Sequence, residues 1–151
     1  MEMSEVHASE RVVVHDGEKV ELHAGENAVV LENGWAEVHE GGFATLYGGF
    51  ATAHEGGTAV IFDGGKAEIL DNGWGSVLKG GKVTVHKGGT AYVHEGGFAK
   101  VQEGGCVYVL EGGSAYVLEG GEAVIHEGGS ATGPGEINYV EQVTQDLAPS
   151  I

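Results

Sequence analysis

Apolar residues do not cluster in blocks along this chain; they return at fixed places in an eight-residue unit. Counted from the first Gly of GGFAKVQE (residues 96–103), the fourth place is small or Val, as in Ala59, Ala67, Val83, Ala91, Ala99, Val107, Ala115 and Ala123. The sixth is Val, Ile or Leu with few exceptions, as in Ile61, Ile69, Val77, Val85, Val93, Val101, Val109, Val117 and Ile125. A spacing of two puts both side chains on one face of a strand and sends places three, five and seven outward. The Gly-Gly that opens most units supplies the positive φ and missing side chain that a tight corner demands. Each octad therefore predicts a strand of about five residues followed by a turn.

The frame runs from Met1 to about Pro134, seventeen units with one residue missing after Tyr47, and leaves residues 135–151 as a tail. No single octad can bury its own apolar face, so the units must stack. The expected fold is all-β, a single-stranded β-solenoid whose coils hydrogen-bond at about 4.8 Å around a thin core of Ala and Val. The glycine content opposes an α-helical alternative.

Two octads per coil give a flattened, two-sheet coil of 16 residues, and three give a triangular coil of 24. The outward charges separate the two. Sorted alternately, one set of octads carries Glu5, Lys19, Glu21, Glu37, Lys66, Glu68, Lys82 and Lys100, while the other has only Arg11 and Glu122. Sorting by threes spreads the same ten residues almost evenly. Two-sided coils are the expectation, although Phe50, Trp74 and Phe98 recur at the spacing of 24 that a triangular coil would stack. The rod would be about 40 Å long with two sides and about 30 Å with three.

Composition narrows the partners. The 151 residues include 29 Gly and 2 Pro and carry a net charge of −16 with only seven basic residues. Nucleic acid requires a Lys/Arg footprint and anionic lipid a basic patch, so neither partner is expected. The opening MEMSEVHASE lacks a basic segment followed by an apolar run, and no stretch is long enough to span a membrane, so cytosolic production is the default. Cys106 is the only cysteine, which excludes an internal disulfide framework.

All eight His residues (His7, His15, His23, His39, His54, His86, His94 and His126) occupy place seven. In the two-sided coil His7, His23, His39 and His54 stand in one column about 4.8 Å apart. Such a ladder is a weak candidate for capturing Zn²⁺, Ni²⁺ or Cu²⁺, but no ligand set with metal-site spacing completes it. The simpler reading is that a flat or branched side chain stacks beside the corner, as Tyr47, Leu70 and Leu110 do at the same place. Place eight is acidic in eleven octads, from Asp16 to Glu127, and Lys at Lys79 and Lys87. The nine-residue GGxGxD spacing of calcium β-rolls is absent, so these carboxylates read as repulsive edges that oppose aggregation. No nucleophile stands beside a base, and no glycine-rich loop opens a helix. An enzyme is not expected, and neither is a cofactor.

The octads poor in charge bring Phe43, Tyr47, Val60, Phe62, Trp74, Leu78, Tyr92, Tyr108 and Leu110 to one flat side, a larger apolar patch than soluble monomers usually expose. Self-association would cover it, as a homo-oligomer in which a trimer is favoured over a dimer. An ice-binding plane would want rows of Thr instead. Beyond the repeat, Ile137, Val140, Val143 and Leu147 share one side of a short helix, though INYV also suits a strand. This tail would cap the last coil or serve as an arm that anchors the rod.

Octads such as EGGSAYVL and HEGGTAVI resemble the glycine-rich repeats of autotransporter adhesin passengers and of phage and prophage fibre, spike and decoration proteins. The resemblance covers roughly residues 1–134 and implies a non-enzymatic structural role. With no export signal in view, the expectation is a phage component located in the virion. The alternative is a cell-surface adhesin or carbohydrate-binding module, with Phe50, Trp74 and Phe98 as a platform for stacking on sugar rings.

Overall fold

The computed structural model describes residues 3–4 and 11–140, with side chains from residue 12 onward. Within these residues the chain forms a parallel β-solenoid of about 8 turns, with about 16 residues per coil. The strands Met3–Ser4, Lys19–Leu22, Trp35–Val38, Phe50–Ala53, Lys66–Ile69, Lys82–Val85, Phe98–Val101, Ser114–Val117 and Ser130–Thr132 make one sheet, here the first. The second consists of Arg11–Val14, Asn27–Val30, Phe43–Leu46, Thr58–Ile61, Trp74–Val77, Thr90–Val93, Cys106–Val109, Glu122–Ile125 and Glu136–Tyr139. Successive strands along the chain therefore alternate between sheets, the arrangement that the sorting of outward charges predicts. The triangular coil is not formed. Phe50 and Phe98 lie on the first sheet and Trp74 on the second, so the three aromatic residues spaced by 24 do not share a column.

The register explains the sequence frame. Trp74 pairs with Thr58 on one side and Thr90 on the other, a step of 16 that keeps every octad place above its equivalent. The residue missing after Tyr47 is absorbed at a corner: Trp35 pairs with Phe50 and Phe43 with Thr58, a step of 15, and the strands stay in register. Gly48, at this shortened corner, takes φ 113°, against 79° and 76° at Gly41 and Gly56 in the flanking corners.

Places four and six form the core. Val30, Val38, Leu46, Ile61, Ile69, Val85, Val93, Val101, Val109 and Val117 are fully buried, as are Ala36, Ala44, Ala59, Ala91 and Ala99 between them, and no described polar side chain is buried. Burial of each Val, Leu or Ile contributes about 1.5–3 kcal/mol.

At a corner the first turn residue has positive φ, and the amide of the second donates to the carbonyl of place seven, as Gly105 N does to Gln102 O at 2.9 Å. That combination is a type II turn, which favours Gly or Asn at its third residue. Asn33 (φ 64°) and Asn72 (φ 63°) are the two non-glycine residues with positive φ among those described, and both occupy it. Two early corners use Glu instead of the second Gly. Glu18 and Glu26 turn back so that their Oε1 atoms accept from the amides of His15 (2.8 Å) and His23 (2.7 Å).

At the far end, Glu136–Tyr139 pairs in parallel with Glu122–Ile125. Ile137 packs partly buried against the core and Val140 is exposed; Val143 and Leu147 lie outside the described residues.

Candidate functional site

Among the described residues the solenoid presents two sheet faces, so the candidate sites are columns of outward side chains. Phe43, Val60, Trp74, Tyr92 and Tyr108 lie on strands of the second sheet, and Tyr47, Phe62, Leu78 and Leu110 directly follow its strands. Their rings meet from coil to coil: Tyr47 stacks on Phe62 at 4.8 Å and 8°, Tyr92 tilts against its register partner Tyr108 at 4.9 Å and 51°, and Trp74 lies diagonally against Tyr92 at 5.2 Å and 47°. Most of these residues are half-buried, and Tyr47 (48%) and Trp74 (39%) remain exposed. The first sheet also shows aromatic residues, with Trp35 at 37%, Phe98 at 38% and Tyr116 at 40%. What sets the second sheet apart is therefore its scarcity of charge, not sole possession of apolar surface.

On the second sheet Cys106 is half-buried, and its thiol is held above its ordinary value, first by burial and then by the Glu122 carboxylate, with a hydrogen bond from Tyr108 pulling the other way. Tyr108 is raised in turn, chiefly by Cys106. His94 sits beside Ser76, Nε2 to Oγ 3.2 Å.

The first sheet carries Lys19, Trp35, Phe50, Lys66, Lys82 and Phe98 in one outward column, each paired with the next. Lys19 Nζ lies 5.4 Å from the centre of the Trp35 ring and 3.7 Å from Glu37 Oε2. Trp35 meets Phe50 edge-on at 4.8 Å. From Phe50 to Phe98 runs an open groove of about 290 Å³ lined also by Lys66, Lys82 and Lys100 beside Glu68 and Thr84. Positive charge is concentrated there in a chain that is otherwise strongly acidic.

Place seven of the same sheet holds the histidine ladder. His23, His39 and His54 stack at 4.8 Å with planes within 8° of parallel, and His7 lies outside the described residues. Beside the ladder runs a column of carboxylates that reading the octads one place at a time does not associate with it. Glu37 Oε1 accepts from His54 Nε2 at 2.6 Å, and Glu68 Oε1 from His86 Nε2 at 2.9 Å. In sequence this is Glu at place five followed by His at place seven one coil later, a step of 18 residues, or 17 across the shortened unit.

No protein-family model matches the chain, and no curated relative is similar enough to place it in a family. Among solved structures it is similar to the TibC-catalysed hyper-glycosylated fragment of TibA, with a TM-score of 0.69 and 25% identity. That fragment comes from an autotransporter adhesin passenger. The match takes in 85% of this chain and 56% of the fragment, so the chain spans little more than half of the structure it resembles.

Proposed function

We propose that the chain is a non-enzymatic, adhesin-type solenoid module of a cell surface, whose first sheet contacts receptor glycans and whose low-charge second sheet packs against copies of itself. The observation that carries this reading is the likeness to the TibA fragment across nearly the whole rod. The comparisons lend no support to the phage component and virion location expected from the octads, so the cell-surface alternative is taken instead.

The geometry fits such a role. Aromatic faces stack on the apolar faces of sugar rings, and Phe50 and Phe98 flank a groove of a size suited to a short glycan. The three lysines that line it favour acidic sugars. Sequence alone would have built the platform from Phe50, Trp74 and Phe98; with Trp74 on the opposite sheet, Trp35 takes its place beside Phe50.

A glycan array probed with the purified chain tests the reading, alongside adhesion of cells that display it. Wild type should bind acidic glycans, and Phe50→Ala with Phe98→Ala should lose most of that signal while keeping its β-sheet circular dichroism. Absence of binding by wild type to both glycans and cells removes the adhesin reading.

A further inference from the structure

We propose that Glu21, His23, Glu37, His39 and His54 form a binding site for one divalent transition-metal ion of the zinc type. The site is independent of the adhesin reading. It rests on two overlapping sets of donors, Glu21–His23–His39 and Glu37–His39–His54, within each of which all ligand atoms lie within 4.8 Å of one another.

The lower set is the more open. Glu21 Oε1 stands 3.7 Å from His23 Nε2 and 3.9 Å from His39 Nε2, between the two rings and outside hydrogen-bond distance of either. The nearest point equidistant from these three donors lies at most about 2.5 Å from each, a few tenths of an ångström beyond the ~2.0–2.2 Å of zinc–imidazole and zinc–carboxylate bonds. Closing that gap takes side-chain movement only. The rings now lie parallel, so their lone pairs do not converge; rotation about the imidazole χ2, whose energy well is broad, turns them toward a common point. Both imidazoles and the carboxylate reach solvent, with His23 60%, Glu21 42% and His39 34% exposed, so the rings have room to turn.

In the upper set, the Glu37 carboxylate already accepts from His54 and faces Lys19. An ion there must displace the proton between His54 and Glu37, which makes it the weaker seat. Two imidazole nitrogens and a carboxylate, with remaining positions left to water, suit Zn²⁺, Ni²⁺ or Cu²⁺ and not Ca²⁺, which takes six to eight oxygens. The parallel register, which stacks equal places at strand spacing, brings the donors together although they are distant in sequence.

Both sets share His39. Two ions seated in them would share that ring and stand one strand spacing, ~4.8 Å, apart, where their mutual repulsion disfavours double occupancy, and stoichiometry becomes the signature. Elsewhere on the described solenoid His86 has one carboxylate partner and His94 only a serine, too few donors for a comparable site.

Calorimetric titration of the full chain with Zn²⁺, in a non-coordinating buffer, tests the proposal. A His7→Asn background removes the imidazole outside the described residues. One ion should bind. His39→Asn should weaken binding at least tenfold, and His23→Asn should weaken it less because the upper seat survives. His94→Asn should leave it unchanged. A second His39 variant, to Gln, guards against a folding defect peculiar to Asn, with the β-sheet circular dichroism of each variant compared with that of the background protein. The proposal is overturned if the background protein does not bind Zn²⁺, if it binds two ions, if both folded His39 variants retain its affinity, or if His94→Asn weakens binding as much as His39→Asn does.

Discussion

The Cδ1 methyl of Ile69, on the first sheet, fills the space that a β-carbon on Gly75, on the second, would occupy, 2.9 Å away. Place four holds a side chain in almost every other octad, and Gly75 is where the core trades it for a larger partner opposite. Gly75→Ala should therefore crowd Ile69, and Ile69→Val should leave an unfilled space. Each change alone is expected to cost about 0.5–1.5 kcal/mol. Made together, they restore the volume, and the double variant should be more stable than the sum of the single changes predicts by at least about 0.5 kcal/mol. Urea unfolding of the four proteins measures this; strict additivity would show that the two side chains do not share one space.

The corners divide the glycines into two classes with different tolerance. A β-carbon on Gly105 would lie 2.8 Å from the carbonyl oxygen of Val85, which is backbone and cannot give way. One on Gly104 (φ 82°) would come closest to the flexible Lys87 side chain, at 2.6 Å to Cγ, with the Lys87 Cα farther off at 3.1 Å. Gly104→Asn should be nearly neutral, within about 1 kcal/mol, because Asn tolerates the left-handed region, as Asn33 and Asn72 already do at equivalent corners. Gly105→Ala should cost more than about 2 kcal/mol and loosen the neighbouring coils first, since stacked repeats depend on their nearest neighbours. Hydrogen exchange resolves both the size and the location of the effect, and equal protection in the two variants would contradict the packing described here.

Most of this architecture was legible in the chain because the solenoid turns a one-dimensional repeat directly into columns. The octad fixed which residues face inward, and Lys19, Lys66, Lys82 and Lys100, crowded into alternate octads, told two sides from three. What escaped was pairwise. Glu37 and His54 sit at different octad places in different coils, so neither column read alone shows that they meet. Stacking also changed the apparent exposure of the apolar face, because Tyr92 and Tyr108 cover each other in a way that their outward position does not reveal.

Cys106 supplies a pH dependence. Burial and the Glu122 carboxylate hold its thiol above its ordinary value of 9.0, so the folded chain keeps the proton more tightly than the unfolded one. The associated stability is fully present below the unfolded thiol's pKa and is lost as pH rises through the folded value. Tyr108 is raised for related reasons and acts in the same direction at higher pH. Cys106→Ser should accordingly flatten the alkaline decline of the urea midpoint and bring the Tyr108 titration down, since Cys106 is the largest cause of its shift. An unchanged decline in the variant would remove the thiol from the account.

Self-association through the second sheet makes the most direct link between sequence and proposed function. Tyr92 and Tyr108 are paired residues on adjacent strands near the middle of that sheet, with ring centres 4.9 Å apart. Replacing both with Glu puts two carboxylates one coil apart on a surface meant to be dry. A buried, unpaired charge costs several kcal/mol, so a dimer or trimer built on this face should dissociate. The monomer should still fold, because Ala91, Val93, Val107 and Val109, which fill the core from the same strands, are untouched. Lys100→Glu on the opposite sheet makes a comparable charge change at an exposed position and should leave assembly as it is. Sedimentation of wild type and the two variants reads the result. If the double variant sediments like wild type with unchanged circular dichroism, the second sheet is not the contact between copies; if Lys100→Glu alone dissociates the assembly, that contact belongs to the first sheet, where the glycan groove would then be covered.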